Sequence, residues 1–208
     1  MESTKIKKVI VDAINIALDE PFTTSIGTKY NIENVLITIQ LENGIEGYGE
    51  ASPLEPINGE NQATVLATLN SCKEYLIGMD ASEYSKISRH LKSVFWAQVT
   101  ARCAIEMALI DAFTKSLNIP LYKYLGGAEK VIETDYTVDI VSSAAAKINA
   151  AKFAQKGYRI LKTKVGKNIT EDIYRILAIK DGAPGCGITL DANHGFSPCE
   201  ALYFLEEL

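Results

Sequence analysis

Residues 134–208 read TDYTVDIVSSAAAKINAAKFAQKGYRILKTKVGKNITEDIYRILAIKDGAPGCGITLDANHGFSPCEALYFLEEL, and their rhythm decides the fold class. Stretches rich in β-branched residues at 134–141, 158–165 and 187–192 alternate with helical patterns at 143–156, 169–181 and 198–208. Two helix starts carry capping boxes, Asn168 with Glu171 and Ser197 with Pro198 and Glu200. In each, a short polar side chain takes an orphan amide and the acid answers back. The order is βαβαβα, which calls for a parallel sheet, either an open doubly wound sheet or part of a (β/α)8 barrel. Placement excludes a dinucleotide site: Gly182, Gly185 and Gly187 precede a strand and flank Pro184, whereas phosphate-binding glycines follow a strand and open a helix. Gly166-Lys167 lacks both the upstream glycine and the Ser/Thr of a P-loop.

Upstream the pattern changes. Residues 5–18, 33–42 and 45–51 read as strands, with Asn43-Gly44 between the last two, a dipeptide that turns antiparallel hairpins because both residues tolerate positive φ. Helical patterns follow at 60–77, 83–95 and 98–117, the last with Val99, Cys103, Met107, Ile110, Phe113 and Leu117 on one stripe, before Pro120 ends it. Strands followed by a run of helices make an α+β domain. Gly126-Gly127 marks its exit, so the expected domains are residues 1–130 and 131–208.

Composition narrows the function. The chain has 208 residues, 47% hydrophobic and 23% charged, with a net charge of -5, ordinary for a globular protein. With no long Lys/Arg block, it has no electrostatic footprint for nucleic acid or an anionic membrane. No apolar run approaches the ~20 residues of a membrane span, and no signal-peptide h-region follows the N-terminal lysines. A cytoplasmic protein with a small-molecule partner, assembling with copies of itself, is expected. Cys72, Cys103, Cys186 and Cys199 are scattered singly, which fits neither a disulfide framework nor a zinc site. Cys72 and Cys103, in helical patterns, are expected to be small buried hydrophobes.

The chemistry-bearing residues cluster at the C-terminal ends of the three later strands: Thr137 with Asp139, Lys162 with Lys164, Asp191 with Asn193. Each pair has spacing two, so both members share a face. Polar residues at that end are where barrel enzymes keep catalysis. Two ammonium groups on one face repel, which is expected to lower the pKa of one and leave an amine usable as a base. A carboxylate on the next strand suits a hard cation such as Mg²⁺. The competing reading is that the lysines are solvated residues guarding an edge strand.

At these residues the chain resembles the muconate lactonizing subgroup of the enolase superfamily, and most of all its dipeptide epimerases, over essentially its whole length. The resemblance rests on ARCAIEMALIDAF and PLYKYLGG before the second domain, then TDYTV, LKTKVGK and LDANHGF on successive strands. It implies an α+β capping domain followed by the first three βα units of a (β/α)8 (TIM) barrel. Sites in this superfamily pair a Lys or His base with magnesium that stabilises an ene-diolate. The resemblance therefore implies Mg²⁺ as cofactor, Lys164 as the acid/base, Lys162 as the residue neutralising the enolate, and Asp191 as a metal ligand. Thr137, Lys162 and Asn193 would line the substrate side, with Ser25 and Gly27 from a mobile loop at Pro21–Tyr30. Relatives selective for Ala-Glu carry an arginine in that loop where this chain has Gly27, so a strict demand for glutamate is not expected. His194 and Phe196 stand where relatives often have Gln and Trp.

The implied activity is 1,1-proton transfer at the C-terminal residue of L-Ala-L-X dipeptides, of the kind murein peptides contain. Muconate cycloisomerase, o-succinylbenzoate synthase and N-acylamino acid racemase share the K-x-K and the metal and remain alternatives, as does a non-catalytic fragment acting only in assembly. The last residues, ALYFLEEL, lie in mid-helix without a stop signal. A truncated barrel is expected, with two further metal ligands and the opposite-face lysine beyond residue 208.

Overall fold

The computed structural model describes residues 3–128 and 131–208. The chain forms two units, residues 3–17 with 31–128 and residues 18–30 with 131–208. Residues 18–30, which the sequence reading places in the first domain, pack with the second.

A three-stranded sheet has the order β1 (Ile6–Thr23), β2 (Thr28–Leu41), β3 (Glu46–Ala51), with residues 6–17 of β1, residues 31–41 of β2 and all of β3 in the first unit. Helices α1 (Glu55–Asn58), α2 (Gln62–Leu76), α3 (Tyr84–Val94), α4 (Val99–Ser116) and α5 (Leu121–Tyr124) follow. β2 and β3 pair antiparallel, with Ile37 opposite Gly49 and Ile39 opposite Gly47. The hairpin closes with the Leu41 N–H donating to the Ile45 carbonyl at 2.8 Å. Large and small residues alternate across this pair for a reason. Val35, Ile37, Ile39 and Leu41 are fully buried, each worth about 1.5–3 kcal/mol relative to exposure. The glycines opposite them leave room for a helix. A Cβ on Gly49 would stand 1.9 Å from the Ala104 carbonyl oxygen of α4.

That contact corrects the expected stripe of α4. The face it buries is Ala101, Ala104, Ile105, Ala108, Leu109 and Ala112, while Val99 and Met107 are exposed. A helix seated on strand glycines needs small residues at the seam, so the alanines go inside although they are less hydrophobic. Cys103 is exposed with the discarded stripe, and Cys72 is buried as expected.

The second unit is β4 (Tyr136–Val138), α6 (Ser143–Gln155), β5 (Ile160–Lys164), α7 (Ile169–Gly182), β6 (Gly187–Asp191) and α8 (Pro198–Glu206). The strands form a parallel sheet in the order β4-β5-β6. The fold class is as the sequence predicts, an α+β unit followed by three βα units of barrel type. Asn168 accepts the Glu171 N–H at the start of α7, and the full reciprocal box forms at Ser197 and Glu200 on α8. Leu161, Thr163 and Val165 are buried, and Val138 and Leu161 join Ala146, Ala150 and Ile179 in an apolar cluster. Alternation then turns Lys162 and Lys164 to the other face.

The Pro21–Tyr30 segment differs from the loop that its Thr, Ser and Gly content suggests. β1 runs on to Thr23 and β2 starts at Thr28, leaving residues 24–27 as a tight turn closed by the Thr24 N–H on the Gly27 carbonyl at 2.9 Å.

Candidate active site

Sheet register brings the later site residues together. Thr137 pairs with Lys162, which pairs with Thr189, and Lys164 pairs with Asp191. Asp191 Oδ2 lies 2.8 Å from Lys162 Nζ and 2.9 Å from Lys164 Nζ. Lys164 Nζ also donates to Asn193 Oδ1 at 2.8 Å, and the Asn193 N–H donates to Asp191 Oδ1 at 3.0 Å. Asn193 makes this turn at φ 45°, a left-handed conformation that asparagine tolerates better than most residues. β5 is the central strand of its sheet and Lys164 is only 6% exposed, which does not fit a solvated edge lysine at that position; Lys162 is half-buried.

Electrostatics follow from the central carboxylate. The hydrogen bond from Lys162, followed by that from Lys164 and the Asn193 amide, holds Asp191 well below the usual carboxylate range against the opposing effect of burial. Lys162 is raised, chiefly by its hydrogen bond to Asp191. An opposite charge in contact favours the ammonium form of Lys162.

Other groups complete the surroundings. Ser25 Oγ reaches the backbone oxygens of Ala192 and Asn193 at 2.8 and 3.1 Å, so the turn at 24–27 is tied to the strand-end loop. Gly27 has nothing within 4 Å of where a Cβ would stand. Thr137 is half-buried on the lysine face. Asp139, just past β4, has a buried Oδ1 without a hydrogen-bond partner, and burial raises its carboxyl. Sequence reasoning missed Phe22, whose ring lies 5.8 Å from Lys164 Nζ, because an aromatic near a turn carries no signal of which strand it meets. It also missed the buried pair Asp172 and Arg175 beside the end of β5.

The residue types bear on a metal. Asp191 is a hard oxygen donor of the kind Mg²⁺ takes, but Mg²⁺ asks for several such ligands in octahedral array. Among the described residues there is no group of three or more His, Cys, Asp or Glu that could hold an ion. These residues fit one ligand position, not a complete site.

The sequence pattern of the mandelate racemase / muconate lactonizing enzyme N-terminal domain matches residues 6–126. The chain belongs to that family. The enolase C-terminal domain-like pattern matches residues 144–208. A relative in Populus trichocarpa, an L-Ala-D/L-amino acid epimerase, is 39% identical over 197 residues, which are 94% of this chain and 47% of that protein. The crystal structure of a dipeptide epimerase from Enterococcus faecalis, complexed with Mg and the dipeptide L-Leu-L-Tyr, superposes with a TM-score of 0.93 at 32% identity, covering 97% of this chain and 57% of that one. An N-succinyl Arg/Lys racemase from Bacillus cereus gives the same TM-score of 0.93 at 29% identity, covering 98% and 56%. The chain spans about half the length of the curated relatives it matches.

Proposed function

We propose that this family member provides the lysine-bearing part of a dipeptide epimerase, a cytoplasmic isomerase inverting the α-carbon of the C-terminal residue in L-Ala-L-X dipeptides. The observation that carries the reading is the arrangement of Lys162 and Lys164 around Asp191 at the ends of β5 and β6. The epimerase names of relatives at 39% and 32% identity support it.

In this reading the amine of Lys164 takes the α-proton from one face of the substrate, and the C–H electron pair moves into the carboxylate to give an ene-diolate. The ammonium of Lys162 balances the charge that develops on its oxygens. Asp191 would serve as one ligand to magnesium, which supplies further positive charge when bound. Thr137, Asn193, Ser25 and Gly27 would border the substrate. Return of a proton to the opposite face needs a second acid besides Lys162 and Lys164.

The test is a panel of L-Ala-L-X dipeptides and N-succinyl amino acids in D₂O, in a form spanning the full length of the relatives. Deuterium entering dipeptides with inversion is the expected outcome. Uncharged C-terminal residues should be accepted, with Gly27 offering no charge to a glutamate side chain. If Ala-Glu beat every apolar dipeptide by about a hundredfold, near 2.7 kcal/mol, that account of Gly27 would fail. Turnover of the succinyl amino acids alone would favour N-acylamino acid racemisation, the second reading, which the similarity to the Bacillus cereus racemase supports.

A further inference from the structure

On α7, beside the end of β5, lies a buried ion pair with no part in the chemistry so far. Asp172 and Arg175 of α7 are 1% and 2% exposed and bonded to each other. Arg175 Nη2 donates to the carbonyl of Lys164 at 3.2 Å, and Nη1 reaches the carbonyl of Val141, past β4, at 3.5 Å. Asp172 Oδ2 accepts the N–H of Gly166 at 2.7 Å. The pair therefore grips the backbone on both sides of Val165, where β5 has just ended.

Stability alone is a poor explanation. A buried ion pair loses hydration that mutual attraction repays only with good geometry and further hydrogen bonds, and Arg175 Nε is buried without a partner. What the pair does is hold the side of a peptide that the sheet leaves open: the Val165 N–H still donates to the Asp191 carbonyl at 3.1 Å, while the carbonyl of Lys164 points the other way. The chain leaves β5 through Gly166 at φ 106°, packed so close to the β6 side that a Cβ would stand 2.7 Å from the Ala192 carbonyl oxygen. The carbonyl of Lys164 finds its donor in Arg175.

We propose that Asp172 and Arg175 are positioning residues for Lys164: together they set the last peptide of β5 so that the Lys164 ammonium meets Asp191 and Asn193. The role given to Lys164 rests on the proposed function, but the clamp itself rests on geometry and can be tested without turnover.

The experiment uses the 208-residue chain and the double variant Asp172→Asn/Arg175→Met, which removes both charges and keeps an acceptor for Gly166. Lysine modification by reductive methylation is followed residue by residue. The expected result is a rise of about tenfold or more in the rate at Lys164, with Lys162 within about twofold of wild type. A Lys164 rate that stays at the wild-type value, or one that rises only in step with every other lysine, would overturn the proposal, since a purely structural pair would loosen all of them together. Should the variant fail to fold, hydrogen exchange on the unmutated chain decides: the Gly166 amide should exchange about a hundredfold more slowly than that of exposed Lys167, and equal rates would overturn the clamp. Neither readout involves a substrate, so their failure leaves the dipeptide reading standing, and failure of the dipeptide panel leaves them untouched.

Discussion

Lys164 combines two properties that a surface lysine lacks: it is buried, and its ammonium has two fixed oxygen partners. As the acid/base of one substrate face, its loss cannot be made up by Lys162, whose partner is the same Asp191 oxygen. In a form spanning the relatives' length, Lys164→Ala should lower solvent deuterium exchange by at least about a hundredfold, the lower end of general acid–base contributions, with far-UV circular dichroism unchanged; exchange within tenfold of wild type would remove it from that role. Asp191 makes a separate prediction through pH. Its carboxyl is held down in the folded chain, first by Lys162. A depressed folded pKa gives stability that is complete above the unfolded value, about 3.9, and lost as pH falls through the folded value. Asp191→Asn should therefore be less stable than wild type from about pH 5 upward, with the gap narrowing below about pH 4. Urea midpoints measured from pH 3 to 7 check this. The K-x-K and D-A-N residues were legible because strand alternation and spacing two put each pair on one face. Asp172 and Arg175 were not: an acid and a base three apart on a helix look like any solvated pair, and only packing makes them buried.

Strand β3 and helix α4 show how a local pattern can mislead. EGYGEA has two glycines in a strand, a weakness by propensity, and VTARCAIEMALIDAF offers an apolar stripe more hydrophobic than the one it buries. Each is explained by the other, since the helix backbone lies where glycine side chains would be. Gly49→Ala should destabilise the first unit by about 3 kcal/mol, the upper end for overpacking, because the obstacle is backbone and cannot rotate away; a loss under about 1 kcal/mol by denaturant unfolding would mean that α4 shifts freely. Capping was readable at α7 and α8, as it depends on neighbours in sequence. Ser197→Ala removes the acceptor for the Glu200 N–H and one half of a capping box, and should cost about 1 kcal/mol, seen as fraying of α8 by hydrogen exchange.

For the chain as a whole, the proposed chemistry has a gap that single substitutions do not address. Inversion needs groups on both faces of the substrate, and the two site lysines, Lys162 and Lys164, both come from β5. The 208-residue chain should not convert L-Ala-L-Glu or L-Ala-L-Phe to their epimers in excess Mg²⁺, and should bind Mg²⁺ no more tightly than about 1 mM, because Asp191 is one oxygen ligand where several are needed. Chiral chromatography and calorimetry are the measurements, and conversion proportional to protein would show that these residues suffice. Among the described residues no helix is long and apolar enough to cross a membrane. Periodicity, capping residues and turn dipeptides determined the order of elements, the parallel sheet and the two lysines with their aspartate, because these depend on spacing along a strand or helix. Tertiary structure alone decided which face of α4 is buried, that residues 18–30 fold with the second unit, and that Asp191 sits between both ammonium groups. The reason is common to all three: each turns on which distant segment comes within van der Waals or hydrogen-bonding reach, and that distance is set by packing, not by sequence neighbours.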